Sequence, residues 1–264
     1  MRLDGKATGA VYSILALKYA GPLTSSVAKV LLDTDWDKRI ERNCYIWVVQ
    51  GEGKTVVIDC GVRPARAEQR NLRGYVSPAE VLRRIGIDAA CVEHLVITHI
   101  HRDHVGGLEL FPRAKVYVQR KEFDFWTMDP IAMRPSFARE SDPVAVQTLG
   151  ALRGSERLIL VDGDREILPG IKLLLTPGHT PALQSVAVAT AKGLAVLTSD
   201  CAHIHRTFEM DMPSSMICDL PEWMRSLAKL RELVSGNLAM LFPGHDVAMR
   251  LNYPEVAEDV TKLM

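Results

Sequence analysis

Thr98-His99-Ile100-His101-Arg102-Asp103-His104 closes an apolar run, Val92–Thr98 (VEHLVIT), that reads as a β-strand. With eight histidines in 264 residues, an HxHxDH pattern arises by chance on the order of five times in ten thousand such chains. Coincidence is therefore a weak rival to a built motif. His99 and His101 stand two apart at a strand end and project the same way. Asp103 and His104 fall on the turn that follows, which Gly106-Gly107 allows to be tight. Imidazole and carboxylate suit zinc, but three histidines and one aspartate barely close one site, so a catalytic centre needs ligands from elsewhere.

Three such residues stand at the ends of other strand-like runs: His179 in TPGHTP after Ile171–Thr176, Asp200 in TSD after Leu194–Thr198, and His245 in PGHD after Leu238–Phe242. Ligands gathered at strand ends suit a pocket at the edge of a sheet. His94 lies inside a strand pattern and reads as structural. Cys44–Gln50 and Lys54–Asp59, joined by Gly51-Glu52-Gly53, form a hairpin pattern. Ser77-Pro78-Ala79-Glu80 reads as a capping box opening a helix to about Ile85. Lys115–Gln119 is a short strand, with a helical pattern from Arg120 to Trp126. Arg157–Val161 and Gln184–Ala189 are β-like, Asp219-Leu220-Pro221-Glu222 opens a helix reaching Val234, and a terminal helix is expected after Pro254. Strands in two batches with helices outside them predict an α/β fold of two mixed sheets packed face to face and flanked by helices. No linker or repeat divides residues 1–264, which read as one domain.

Composition sets the outer bounds. Lys plus Arg and Asp plus Glu are both 32, and this neutrality argues against a nucleic-acid partner. The five cysteines, Cys44, Cys60, Cys91, Cys201 and Cys218, are scattered without a CxxC and read as free thiols in a reducing compartment. The apolar stretch Val11–Ala20 is interrupted by Lys18 and reads as a strand rather than an export signal. No segment approaches the length of a membrane span. A cytoplasmic protein is the expectation, its oligomeric state left open with a homodimer among the options.

The chain resembles the metallo-β-lactamase superfamily over nearly its whole length: IDCG at Ile58–Gly61, THIHRDHVGG at Thr98–Gly107, TPGHTP at Thr176–Pro181, SD at Ser199–Asp200 and PGH at Pro243–His245. The resemblance implies an αββα sandwich with two divalent metal ions, zinc being the expected metal. One ion would be held by His99, His101 and His179, the other by Asp103, His104 and His245. Asp200 would bridge them, with a water or hydroxide between, and Asp59 would order the metal loop. Within the superfamily the pattern looks most like the N-acyl homoserine lactonases and related lactonases. TPGHTPALQS resembles their TPGHTPGHQS, with Ala182 and Leu183 as departures. His203 stands where those lactonases usually carry a tyrosine, and the interval from His104 to His179 is longer than usual.

The activity this implies is hydrolytic opening of a small lactone ring. Two metals about 3.5–4 Å apart lower the pKa of a water to about 7 and polarise a carbonyl. The resemblance gives Asp103 the task of moving the water proton to the leaving alkoxide. His203 either donates a hydrogen bond to the substrate or caps its turn, as His205 also could. Phe123, Trp126 and Met128, with Phe125, Met133, Arg134, Phe137 and Arg139, either pack a helix on the core or form an apolar lid in which an arginine meets a substrate carboxylate. Thioester, cyclic amide and β-lactam hydrolysis are the alternatives, and a metal-dependent binding module without turnover is the reading from another class.

Overall fold

The strand that begins the described chain is also the longest. The structure, a computed structural model, describes residues 9–264. β1 (Ser13–Ser26) and β2 (Arg39–Gly51) pair antiparallel, and β2 turns into β3 (Lys54–Ile58) through Glu52 and Gly53. Both turn residues have positive φ, the twist that a two-residue hairpin needs. β4 (His94–Val96), β5 (Lys115–Gln119) and β6 (Leu158–Val161) then add in parallel. The second sheet holds β7 (Arg165–Leu168), β8 (Ile171–Leu175), β9 (Gln184–Thr190), β10 (Gly193–Ser199) and β11 (Leu241–Pro243), ordered 11-10-9-8-7.

The run CYIWVV reads as uninterrupted apolar because both faces of β2 are covered. Tyr45, Trp47 and Val49 face the second sheet, where they meet Leu173, Val186 and Val188. Cys44, Ile46 and Val48 face outward against Val81, Leu82, Phe123, Trp126 and Leu149, which lie on or beside the helices covering that side. On the far side of the second sheet, the helix Leu220–Leu233 contributes Trp223, Leu227 and Leu230. The layers run helix, sheet, sheet, helix, as expected. Gln184 ties the sheets together: its side chain donates to Ile97 O (2.8 Å) and Tyr117 O (3.1 Å) and accepts from Gln119 (3.0 Å).

Some expectations are corrected. No helix follows Pro254; that segment forms β12 (Glu255–Ala257) and β13 (Val260–Lys262), and β13 pairs with β1 at Leu15, Ala16 and Leu17. An open edge of β1 outweighs a weak local helical preference, and buried Val260 and Leu263 reward the pairing. Asp259, at the hairpin turn, is reached by Lys18 (2.7 Å), Arg84 (2.9 Å) and Arg250. The capping box at Ser77 does not form: the helix Pro78–Arg83 has no side-chain cap, and Glu80 pairs with Arg83 instead. Asp219 does cap its helix, accepting from Glu222 N at 3.0 Å. All five cysteines are free. No helix among the described residues is long and apolar enough to cross a membrane.

Candidate metal centre

β4 delivers Thr98–His104 to the sandwich rim, β8 ends before His179, β10 ends just before Asp200 and β11 ends before His245. His99, His101, His104, His179, Asp200 and His245 are all buried. Gly106 and Gly107 serve packing rather than unusual backbone angles, since their φ values are −62° and −91°. A Cβ on Gly107 would stand 2.1 Å from Cys60 O. Gly244 is fixed by the centre itself, because a Cβ there would meet Asp200 Oδ1 at 2.3 Å.

Hydrogen bonds set the tautomers. His179 Nδ1 donates to Met216 O (2.6 Å), His245 Nδ1 to Asn43 O (2.7 Å) and His104 Nδ1 to Asp59 Oδ2 (2.7 Å). Thr98 Oγ1 donates to Asp59 Oδ2 (2.8 Å), which leaves it an acceptor for His99 Nδ1 at 3.1 Å. A neutral ring that donates through Nδ1 has a bare lone pair at Nε2, the form in which it can hold a cation. Those lone pairs converge. His99 Nε2 and His179 Nε2 stand 3.1 and 3.0 Å from His101 Nδ1, and 3.9 and 3.5 Å from Asp200 Oδ2. His104 Nε2 and His245 Nε2 stand 3.5 and 3.1 Å from Asp200 Oδ1. Asp103 closes the second group, 4.0 Å from His104 Nε2 and 3.8 Å from His245 Nε2.

Electron pairs turned on one another and on a carboxylate call for positive charge between them. His104 Nε2 and Asp200 Oδ1 are buried without a hydrogen-bond partner, as a cation site requires. Burial alone would keep His104 neutral, yet Asp200, Asp59 and Asp103 push its pKa up to about 9. Burial and neighbouring imidazoles push those of His99, His101 and His179 down, which keeps their lone pairs free. Two donor groups meet at Asp200, one with His99, His101 and His179, the other with His104 and His245. The residues present fit two divalent cations sharing one carboxylate.

Asp59 holds the frame, also accepting from Thr98 N at 2.8 Å. His94 is structural, its Nδ1 paired with Tyr117 Oη at 3.0 Å. Asp246 accepts from both His205 N (2.7 Å) and its ring Nδ1 (2.9 Å), whereas buried His203 has both ring nitrogens unpartnered, with Nε2 3.3 Å from Asp200 Oδ2.

A cavity of about 170 Å³ opens beside His101 and His179, walled by Phe137, Arg139, Ser215, Met216 and Ile217. Arg139 lines this cavity, its Nε 3.5 Å from Glu140. Phe123 does not: it is fully buried under the first sheet, with Arg153 over its ring. Trp126 is buried too, its ring perpendicular to that of His101 with 5.6 Å between centres, and Met128 lies in a separate groove with Arg120 and Pro181. Phe123 and Trp126 on the helix Arg120–Met128 thus face the core, and of the aromatic side chains considered for a lid it is Phe137 that lines the cavity. Sequence reasoning passed over Cys44, whose Sγ lies within 4.8 Å of Asp103 and His245 ligand atoms, and the carbonyls of Asn43 and Met216. A carbonyl belongs to every residue, so no pattern could flag those two.

The fold and the paired donor groups are those of a dinuclear metallohydrolase scaffold, and residues 39–245 match the metallo-beta-lactamase superfamily model. The chain belongs to that superfamily. Among relatives, it is 26% identical over 219 residues to an N-acyl homoserine lactonase of Bacillus cereus, covering 77% of this chain and 80% of that one. It is 28% identical over 182 residues to an N-acyl homoserine lactonase of Agrobacterium fabrum, covering 67% of this chain and 66% of the relative. In fold it is similar to an N-acyl homoserine lactone hydrolase solved with N-hexanoyl-L-homoserine at its catalytic metal centre. That likeness has a TM-score of 0.76 at 21% identity, over 93% of this chain and 98% of the other.

Proposed function

We propose that this protein hydrolyses the ring ester of a small lactone, an N-acyl homoserine lactone or a close relative of one, at a centre of two zinc ions. The observation that carries the reading is the convergence of imidazole lone pairs on the shared Asp200 carboxylate; the lactonase relatives supply the substrate class. His99, His101 and His179 would hold one ion, and Asp103, His104 and His245 the other, with Asp200 common to both. When bound, such a pair polarises an ester carbonyl and makes hydroxide available from water near neutral pH.

The chain's own groups do the rest. Asp103 and Asp200 differ in access: the Asp103 side chain is 19% exposed, that of Asp200 3%. Asp103 can therefore face a substrate, take the proton of the attacking water and return it to the ring oxygen as the acyl C–O bond breaks. His203, aimed at Asp200 with its nitrogens unpartnered, supplies a hydrogen bond to the ester carbonyl. Phe137, Met216 and Ile217 give an acyl group an apolar wall, and Arg139 offers charge at the cavity mouth. The five free thiols support a cytoplasmic setting.

The product is a hydroxy acid, so each turnover releases one acid equivalent at neutral pH. A pH-stat screen of the zinc-loaded protein should show that release with acyl homoserine lactones. Untouched lactones beside thioesters, cyclic amides or β-lactams that do turn over would reassign the substrate class.

A further inference from the structure

Glu122 is a fully buried carboxylate in the first turn of the helix Arg120–Met128, and it lies outside the donor set around Asp200. Its Oε1 accepts from Ile100 N at 3.1 Å and from the indole Nε1 of Trp126 at 2.8 Å; its Oε2 accepts from Ala182 N at 2.9 Å. Each partner bears on the same half of the centre. Ile100 is the residue between His99 and His101. Ala182 closes the turn that carries His179. Trp126 packs T-shaped against His101. One side chain thus joins the two separate loops that bring His99, His101 and His179 together, and also sets the ring that backs one of them. The other half is framed differently, with Asp59 on His104 and the Asn43 carbonyl on His245.

We propose that Glu122 is the positioning residue for the ion held by His99, His101 and His179, acting through the two loops rather than by touching metal or substrate. The proposal rests on the two-ion reading above. Glutamine has the size of glutamate but only one acceptor oxygen. In Glu122→Gln an amide NH2 must face at least one N–H that now has a partner. Removing groups that orient ligands in this way typically weakens metal binding about 10- to 100-fold.

The test is chelator competition on zinc-loaded wild type and Glu122→Gln, counting zinc released, beside melting of both metal-free proteins. One of the two equivalents should leave the variant at a chelator level about 10- to 100-fold lower than in wild type, while the other leaves as before. If both equivalents stay as tight as in wild type, the proposal is overturned. It is equally overturned if both weaken by the same factor along with a lower metal-free melting temperature, the mark of a merely structural carboxylate. Trp126→Phe, which withdraws one donor and leaves the carboxylate, carries the same comparison should Glu122→Gln fail to fold. There a smaller loss at the same single equivalent is expected, and equal retention of both ions would again overturn the proposal. Wild type that binds fewer than two ions would overturn the two-ion reading itself, whatever the variants do.

Discussion

His203 shows how much a single buried side chain can reveal by lacking partners. Polar groups this deep are nearly always paired within the protein, and even the shallower neighbour His205 is, through Asp246. This side chain, with two nitrogens left over and Nε2 3.3 Å from the shared carboxylate, is the donor proposed above for the ester carbonyl. His203→Ala should retain two equivalents of metal and nearly its full melting temperature while kcat falls roughly 100- to 1000-fold, the usual worth of one donor to a developing oxyanion. Metal analysis beside steady-state kinetics decides it: lost metal would make His203 part of the ion's support, and an unchanged kcat would leave only packing. The residue types at the centre were legible in the sequence because chemistry restricts metal ligands to few side chains and each stood at a strand end. Glu122 was not, because a charged residue in the first turn of a helix is ordinary until the fold shows that it faces inward.

At the scale of elements, local pattern succeeded where both faces of a strand are buried and failed where pairing was decided at long range. The β2–β3 hairpin follows from its turn residues, whereas the β12–β13 hairpin depends on the vacant edge of β1, far away in the chain. Asp259 pins that last hairpin. Burial would raise its pKa, but Lys18, Arg84 and Arg250 outweigh this and hold it at about 2, against about 3.9 in an unfolded chain. A depressed carboxylate pKa stabilises the fold fully above the unfolded value and loses that contribution as pH falls from about 4 to about 2. The group is only half-buried, so solvent screening limits its worth to about 1 kcal/mol. Asp259→Asn should melt roughly 2–4 °C below wild type at neutral pH, with the gap closing across that acid window. A gap that persists at pH 2 would mean the asparagine harms the turn, not the ion pairs.

For the whole molecule, the centre is a joint between the two sheets. His99, His101, Asp103 and His104 come from the first, and His179, Asp200 and His245 from the second. Ions that bind only the assembled state add to its stability, about 2.7 kcal/mol each when present at 100 times their dissociation constant. Stripping both with a chelator should lower the melting temperature by about 10 °C or more, and calorimetry that finds no shift would separate the centre from the fold's stability. The same wide view gives the terminal hairpin a second significance. β1 spans 14 residues and would offer a stray polypeptide a long row of unsatisfied backbone groups if it lay at the rim. With β12 and β13 laid over it, the four outermost strands, β12, β6, β11 and β7, are only three or four residues long. Among the described residues the strands at the sheet edges are therefore short, and β13 shields β1 at Leu15, Ala16 and Leu17 from β-sheet growth.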